Sequence, residues 1–341
     1  MELALYHPDH GYYAKSTNQV GRDGDFFTSV SVGPLFGRLL ARRFLTWWHQ
    51  NGSPQPWRIL EAGAHDGTLA ADILTEIRAL DSNAFASLDY VIPEPLPRLR
   101  EAQRAKLSGF PGVRIIESLG GLASQPLPGV AFGNEVLDAL PFHVIERRDG
   151  RWQECRVQWQ DGSFRWVAGP DFADGPAGDF PEGYRTEIRR NYGSFFLPFL
   201  EALTSGTLFW FDYGYGTGEY YHPARSTGTI RTFSKHRAGE DPLASPGVED
   251  ITAHVDFTAA AEQARELGCR VTAFRTQSAW LTEVARELLL AMEGKPDAAV
   301  LRQFQTLTHP GHLGSRFHVL ELSWNDPTAP SIPDAGLKRL P

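Results

Sequence analysis

Cysteine is nearly missing, with two in 341 residues, Cys155 and Cys269. They stand far apart with no C-x-x-C pair and no Cys/His spacing, which argues against a disulfide framework and a zinc site. Positive charge is also short, since 33 Lys and Arg face 41 Asp and Glu for a net charge of −8. That balance argues against a nucleic-acid binder working through a basic stripe. No apolar run approaches the ~20 residues that cross a bilayer as a helix. The first residues, Met1-Glu-Leu-Ala-Leu-Tyr-His-Pro-Asp-His10, show neither a basic segment with an apolar run nor an Arg- and Ser-rich transit pattern, so the expected compartment is the cytoplasm. G-x-S-x-G and H-E-x-x-H are absent too. The histidine pairs His7/His10 and His309/His312 have no ligand-spaced acids or cysteines, so no metal site is expected. What is plentiful is glycine, 33 residues with 24 prolines spread along the chain, which implies many tight loops between short elements.

The clearest apolar run, Trp57-Arg-Ile-Leu-Glu-Ala-Gly63, reads as a buried strand. A helix over Thr68–Arg78 follows, with Leu69, Ile73 and Ile77 at four-residue spacing and Thr68 as its cap. Strands at Leu88–Ile92, Val113–Ile116 and Gly129–Gly133, with a helix from Pro97 to Leu107, continue the alternation that predicts a parallel sheet. After Pro141 the texture changes. Short runs at 143–146, 152–160 and 164–167 are separated by Asp149-Gly150 and Asp161-Gly162, a hairpin signal for an antiparallel insertion. A loop over 169–183, a helix near 184–204 and a strand at Thr207–Gly214 come next. Residues 215–255 lack periodicity and read as a long, lid-like loop. Helices at 256–267 and 278–292 and strands at Val271–Arg275 and Phe317–Trp324 complete the reading. The length allows two domains, but the pattern reads as one α/β domain over 51–325 with insertions about 142–183 and 215–310. A helical or lid segment, 1–50, precedes it and a loose tail, 326–341, follows.

Four strand ends carry polar residues. Glu61-Ala-Gly63-Ala-His65-Asp-Gly67-Thr lacks the full G-x-G-x-x-G spacing, but an acid before a glycine turn suits a nucleoside ligand with an amino-acid tail, or simply a tight turn. Glu94, after the second strand, reads as a bidentate acceptor for ribose hydroxyls or as a helix cap. Glu117 and Ser118, after the third, are candidates to meet an adenine amino group. The fourth strand runs into Asn134-Glu135-Val-Leu-Asp138, where two acids and an amide are expensive to bury unless they meet a polar partner such as a guanidinium. Capping and turn roles explain any one of these residues singly, but less readily the set.

Longer segments resemble the MidA family: Ala4–Tyr13, Gly24–Ser29, Pro34–Gly37, Asn134–Pro141, Asp212–Gly214, Arg225-x-x-Gly228-Thr-Ile-Arg231, His236, Asp241–Leu243, Pro246-Gly247 and Asp250–Phe257. The resemblance runs from Ala4 to about Leu320, with Asp250–Phe257 its most diagnostic segment. It implies a class I, Rossmann-like methyltransferase sheet with antiparallel and helical insertions, and S-adenosylmethionine as cofactor, held at Glu61, Gly63, Gly67 and Glu94. It also implies that Gly24–Thr28 and Asp212–Gly214 border the site, while Asn134, Glu135 and Asp138 face the methyl acceptor as catalytic residues. The mitochondrial members of that family are arginine methyltransferases needed for respiratory complex I assembly. The implied partner is therefore a protein bearing arginine, a respiratory subunit among the candidates. Two departures stand out. Ala64 and His65 replace the Pro and central Gly of an E-x-G-P-G-x-G-T turn, and Val30 and Ser31 replace a Pro-Glu pair. A histidine where glycine holds φ > 0 costs on the order of 1 kcal/mol. The other readings are an assembly module that has lost turnover and a small-molecule methyltransferase.

Overall fold

Phe36, Leu40, Phe44 and Trp47 recur at three- and four-residue intervals and give helix α2 (Leu35–Gln50) one buried face; the short α1 (Glu2–Tyr6) precedes it. The computed structural model describes residues 1–15, 28–234, 237–326 and 329. The alternating region follows as β1 (Trp57–Ala62), α3 (Thr68–Leu80), α4 (Ser82–Ala86), β2 (Leu88–Pro93), α5 (Pro97–Lys106), β3 (Val113–Ile116) and β4 (Leu127–Asn134). Strand β1 is buried throughout because both sheet faces are covered. Ile59 joins Phe44, Ile73 and Phe132 on one face, and Leu60 joins Leu200, Trp210 and Ala260 on the other.

The antiparallel insertion comprises β5 (His143–Arg148), β6 (Arg151–Gln160), β7 (Ser163–Asp171) and β8 (Arg185–Ile188), in the order β7-β6-β5-β8. Both Asp-Gly turns have φ > 0 at each residue, as two-residue hairpins require. The chain returns through α6 (Tyr192–Glu201) to β9 (Leu203–Tyr215) and α7 (Thr217–Tyr220). A small antiparallel sheet follows, made of β10 (Arg231–Ser234), β11 (Arg237–Gly239) and β12 (Asp250–Thr252). The remaining elements are β13 (Val255–Asp256), α8 (Phe257–Glu266), β14 (Arg270–Thr276), α9 (Gln277–Val284), α10 (Arg286–Ala291), α11 (Ala298–Thr308) and β15 (Phe317–Trp324). The main sheet has the order β14-β15-β9-β4-β1-β2-β3, with β13 paired to the end of β9. Its pairs are parallel except the two that β15 makes.

The expected α/β class with antiparallel and helical additions is therefore present, and four local expectations change. The helix over 184–204 is a strand, β8, followed by a shorter helix, because Tyr184, Ile188 and Tyr192 fall four apart and imitate a helical stripe. The loop over 215–255 contains α7 and three short strands, which pair over only three residues per strand pair and so leave no visible period. The helix over 278–292 starts at Gln277 and divides at Ala285. Thr68 is the first helical residue and not the cap. Within 215–310, α8 and β14 belong to the main α/β layers.

Candidate active site

Strand order reverses between β1 and β4, and in open α/β sheets the crevice at the carboxyl ends of such strands receives ligands. Residues just after β1, β2 and β4 and at the end of β9 here line one cavity of about 1290 Å³. Pockets for a single small ligand run to about 300–1,000 Å³, so this one has room for two groups to meet.

One end is built by the turn after β1. Gly63 has φ +66°, and a Cβ there would lie 2.4 Å from Val136 Cγ1, so this position needs glycine on both counts. His65 is also left-handed, at φ +46°, so the family's replaced glycine does leave a strained histidine. Asp66 starts α3 by accepting from Thr68 N and Thr68 Oγ1, each at 3.0 Å, and pairs with Lys106 Nζ at 2.7 Å. These partners hold the Asp66 carboxyl well below its usual range, against the opposing effect of burial.

Glu61 is buried, and its Oε2 accepts from Tyr90 Oη at 2.5 Å. Burial pushes its pKa up to about 8, the Tyr90 bond opposing, and among the described residues no basic side chain pairs with it. Glu94 is also buried and raised by desolvation. Its Oε1 accepts from Leu96 N at 2.9 Å and its Oε2 from Gln103 Nε2 at 3.2 Å. Gln103, fully buried, also donates to the His65 carbonyl at 2.8 Å and so ties the first turn to the end of β2.

The other end is acidic. Glu135 has φ +56° and its N–H continues the β4–β9 ladder to Phe211 O at 2.8 Å. A non-glycine residue held there is strained, and such strain collects at functional sites. Asn134 Nδ2 donates to Glu135 Oε1 at 2.9 Å, and the Ser29 N–H donates to the same carboxyl group. Burial first and the Asp138 charge second push Glu135 up to about 8. Asp138 Oδ2 accepts from Tyr213 Oη and the Ala139 N–H also faces this carboxyl, while Oδ1 is buried with no hydrogen-bond partner among the described residues. Burial raises this carboxyl also. Asp212, fully buried, organises the turn by accepting from the N–H groups of Val136 (3.2 Å), Leu137 (2.9 Å), Asp138 (3.2 Å) and Tyr213 (2.9 Å). Burial beside Asp138 and Glu135 pushes its pKa up; the donors oppose this.

Glu61, Gly63, Glu94, Thr28, Asn134, Glu135 and Asp138 thus share the cavity wall. Thr28 and Ser31 join their hydroxyls at 3.1 Å there, so the replaced residue Ser31 borders the site. Three expected residues do not meet it. Gly67 faces Leu107, and Glu117 and Ser118 are exposed past the end of β3, with Leu119 turned inward in their place. Gly24–Phe27 and His236 lie outside the described residues. Tyr90, Gln103, Ser29 and Gln277 are additions to the sequence reading. Ser29 Oγ donates to buried Gln277 Oε1 at 3.1 Å, whose Nε2 donates to Leu307 O at 3.1 Å, which fixes the loop above Glu135. Nothing in the local sequence marks such long-range pairs.

Comparison with known proteins agrees with this geometry. A family model for S-adenosyl-L-methionine-dependent methyltransferases matches residues 39–275. The mitochondrial protein arginine methyltransferase NDUFAF7 homolog of Drosophila melanogaster is 28% identical over 361 aligned residues, covering 94% of this chain and 80% of that protein. The human NDUFAF7 is 27% identical over 359, covering 94% and 78%. A Burkholderia thailandensis protein solved with S-adenosyl-homocysteine superposes with a TM-score of 0.84 at 31% identity, covering 98% of this chain and 88% of that one. The residues present fit the cofactor. Its ammonium group matches Glu61, a buried carboxylate with no basic partner among the described residues, and its ribose hydroxyls match Glu94, whose oxygens each keep a lone pair. The chain belongs to this family of S-adenosyl-L-methionine-dependent methyltransferases.

Proposed function

We propose that the protein methylates an arginine side chain of a partner protein in the cytoplasm, with Glu135 and Asp138 as the groups that receive the guanidinium. The observation that carries this reading is the Glu135–Asp138 pair, with Asp138 Oδ1 buried and unpartnered in a cavity large enough for cofactor and acceptor. The names of the fly and human relatives, both protein arginine methyltransferases, support it. Glu61, Gly63 and Glu94 hold S-adenosylmethionine, which supplies an electrophilic methyl group when bound. Asp138 orients the planar guanidinium, whose paired N–H donors match a carboxylate edge. Glu135 receives the proton that the nitrogen releases as it becomes methylated. With a pKa near 8 it is a stronger proton acceptor than an ordinary carboxylate. Tyr213 and Asn134 hold the two carboxylates in place.

The test is transfer of a labelled methyl group from S-adenosylmethionine into a lysate of the source organism, followed by acid hydrolysis of the labelled proteins. Methylarginine in one or a few proteins, respiratory subunits first among the candidates, is the expected result. Label confined to small metabolites, or to another amino acid, overturns the arginine reading.

His65 gives a smaller prediction. Its left-handed backbone costs about 1 kcal/mol relative to glycine. H65G should therefore raise the unfolding free energy by up to about 1 kcal/mol, read from the urea midpoint at unchanged m. A lowered midpoint would instead mean that the imidazole makes contacts worth more than the strain.

A further inference from the structure

The segment between β9 and β13 and the residue just before β15 carry basic side chains that methyl transfer does not use. Arg231 and Arg316 line the cavity together with Tyr213, Tyr215 and His254. The Arg225 guanidinium lies over the Tyr215 ring, 4.3 Å from its centroid. The rings of Tyr215 and Tyr213 meet His254 edge-on at 5.1 and 5.3 Å. In a chain with an excess of acids, arginines usually find carboxylates. Here, among the described residues, none pairs with Arg225 or Arg316, and Arg231 has a loose 3.8 Å contact to Glu240, which is 82% exposed. Arg225 Nε and His254 Nδ1 are buried without partners.

The other charged groups nearby are already engaged. Arg189 spends its donors on four backbone carbonyls. Asp250 accepts from the Ile251 N–H at 3.0 Å and is hydrogen-bonded to Tyr13. His254 stays neutral at physiological pH, because burial and the surrounding arginines push it down to about 3. It therefore offers a hydrogen-bonding imidazole without adding charge.

We propose that this end of the cavity is a carboxylate-binding subsite, and that the methyl acceptor carries an acidic group beside the arginine to be methylated. The proposal rests on the arginine reading above for its acceptor. Tyr213 joins the two ends, since its hydroxyl donates to Asp138 and its ring touches His254. One aromatic side chain therefore separates the guanidinium seat from the arginines, a span that an extended peptide covers in about two or three residues at ~3.3 Å each. Arg231 and Arg316 supply the planar forks that match a carboxylate, whereas the Glu135 and Asp138 end offers no cation to an acid placed in the wrong register.

The test uses amidated Gly/Ala peptides with one central arginine and a single Glu placed in turn at each of the three positions on either side. A second arm places the arginine near a free C-terminal carboxylate, which separates a side-chain acid from a chain end. At least one acidic peptide should have a kcat/KM tenfold or more above the neutral peptide, mostly through KM. R316E should remove that preference, with R316Q and R231Q intermediate; Arg316 is exposed, so its two changes leave the core untouched. Binding is measured separately by fluorescence anisotropy with the preferred peptide, or each acidic peptide if none is methylated, carrying citrulline in place of arginine. The wild type should bind it and R316E at least tenfold less. If nothing is methylated but that binding pattern holds, the arginine reading fails and the subsite stands. Equal use of acidic and neutral peptides, an R316E effect equal on both, or no binding of any acidic peptide overturns the subsite.

Discussion

Glu135→Gln lowers kcat for methyl transfer by about 10²- to 10⁴-fold, the usual loss when a positioned acid–base group is removed. The change is nearly isosteric and keeps the Asn134 contact within reach, so the turn persists while proton acceptance is lost. The wild-type pH profile carries the same signature. Burial places Glu135 near 8 in the free protein, so its ionised form grows as pH rises and kcat/KM should climb from pH 6 to a plateau above about 9. E135Q should be flat over that range. A variant that keeps wild-type turnover and the sloping profile would exclude Glu135 as proton acceptor. Stability moves the opposite way. A carboxyl raised from 4.5 to about 8 in the folded state holds its proton where the unfolded chain has lost it. The stability it contributes is fully present below pH 4.5 and is lost as pH rises through 8. Glu61 has the same displacement and adds to this fall. Both variants E135Q and E61Q should therefore show a shallower decline of Tm between pH 5 and 9 than the wild type.

Much of this machinery was readable because buried strands are short and apolar and their ends are polar. Trp57–Ala62 announces itself by composition, and Glu61 near the end of β1, with Glu94 and Glu135 just after β2 and β4, stands at one edge. What escaped was of two kinds. Local imitation misled where Tyr184, Ile188 and Tyr192 copy a helical stripe on what is partly β8. Long-range pairing was invisible where Tyr90 meets Glu61, Gln103 meets Glu94, and Gln277 meets Ser29, because each contact depends on the closed sheet and not on neighbours in the chain. Glu117 and Ser118 show the same limit from the other side. β3 is the edge strand on its side of the reversal point, and the polar side chains that follow it, Glu117 and Ser118, turn to solvent. The Asp250–Phe257 motif gains a physical meaning as well. Asp256 caps α8 by accepting from Thr258 N at 3.1 Å and Ala259 N at 3.2 Å, while the carbonyls of Ala253 and His254 receive Arg189.

Arg189→Met destabilises the protein by about 3–5 kcal/mol, the range for breaking a buried charged network by removing one partner. Arg189 is buried, and its guanidinium donates to Leu140 O at 3.1 Å, His254 O at 2.6 Å, Asp138 O at 2.5 Å and Ala253 O at 2.9 Å. It also lies over the Phe142 ring. One side chain therefore staples the turn after β4 to the strand end at β13, and through Asp138 it reaches the proposed guanidinium seat. Methionine fills the same volume but leaves those carbonyls without donors, whereas Arg189→Lys keeps the charge, loses the planar fork and should cost about half as much. Urea unfolding monitored by tryptophan fluorescence measures both, with the loss read at unchanged m. Among correctly folded molecules, the Lys variant should lose turnover more than cofactor affinity, because the displaced carbonyl belongs to Asp138 while Glu61 and Glu94 stand on other strands. A loss below about 1 kcal/mol for the Met variant would mean that water satisfies the carbonyls and that the staple contributes little.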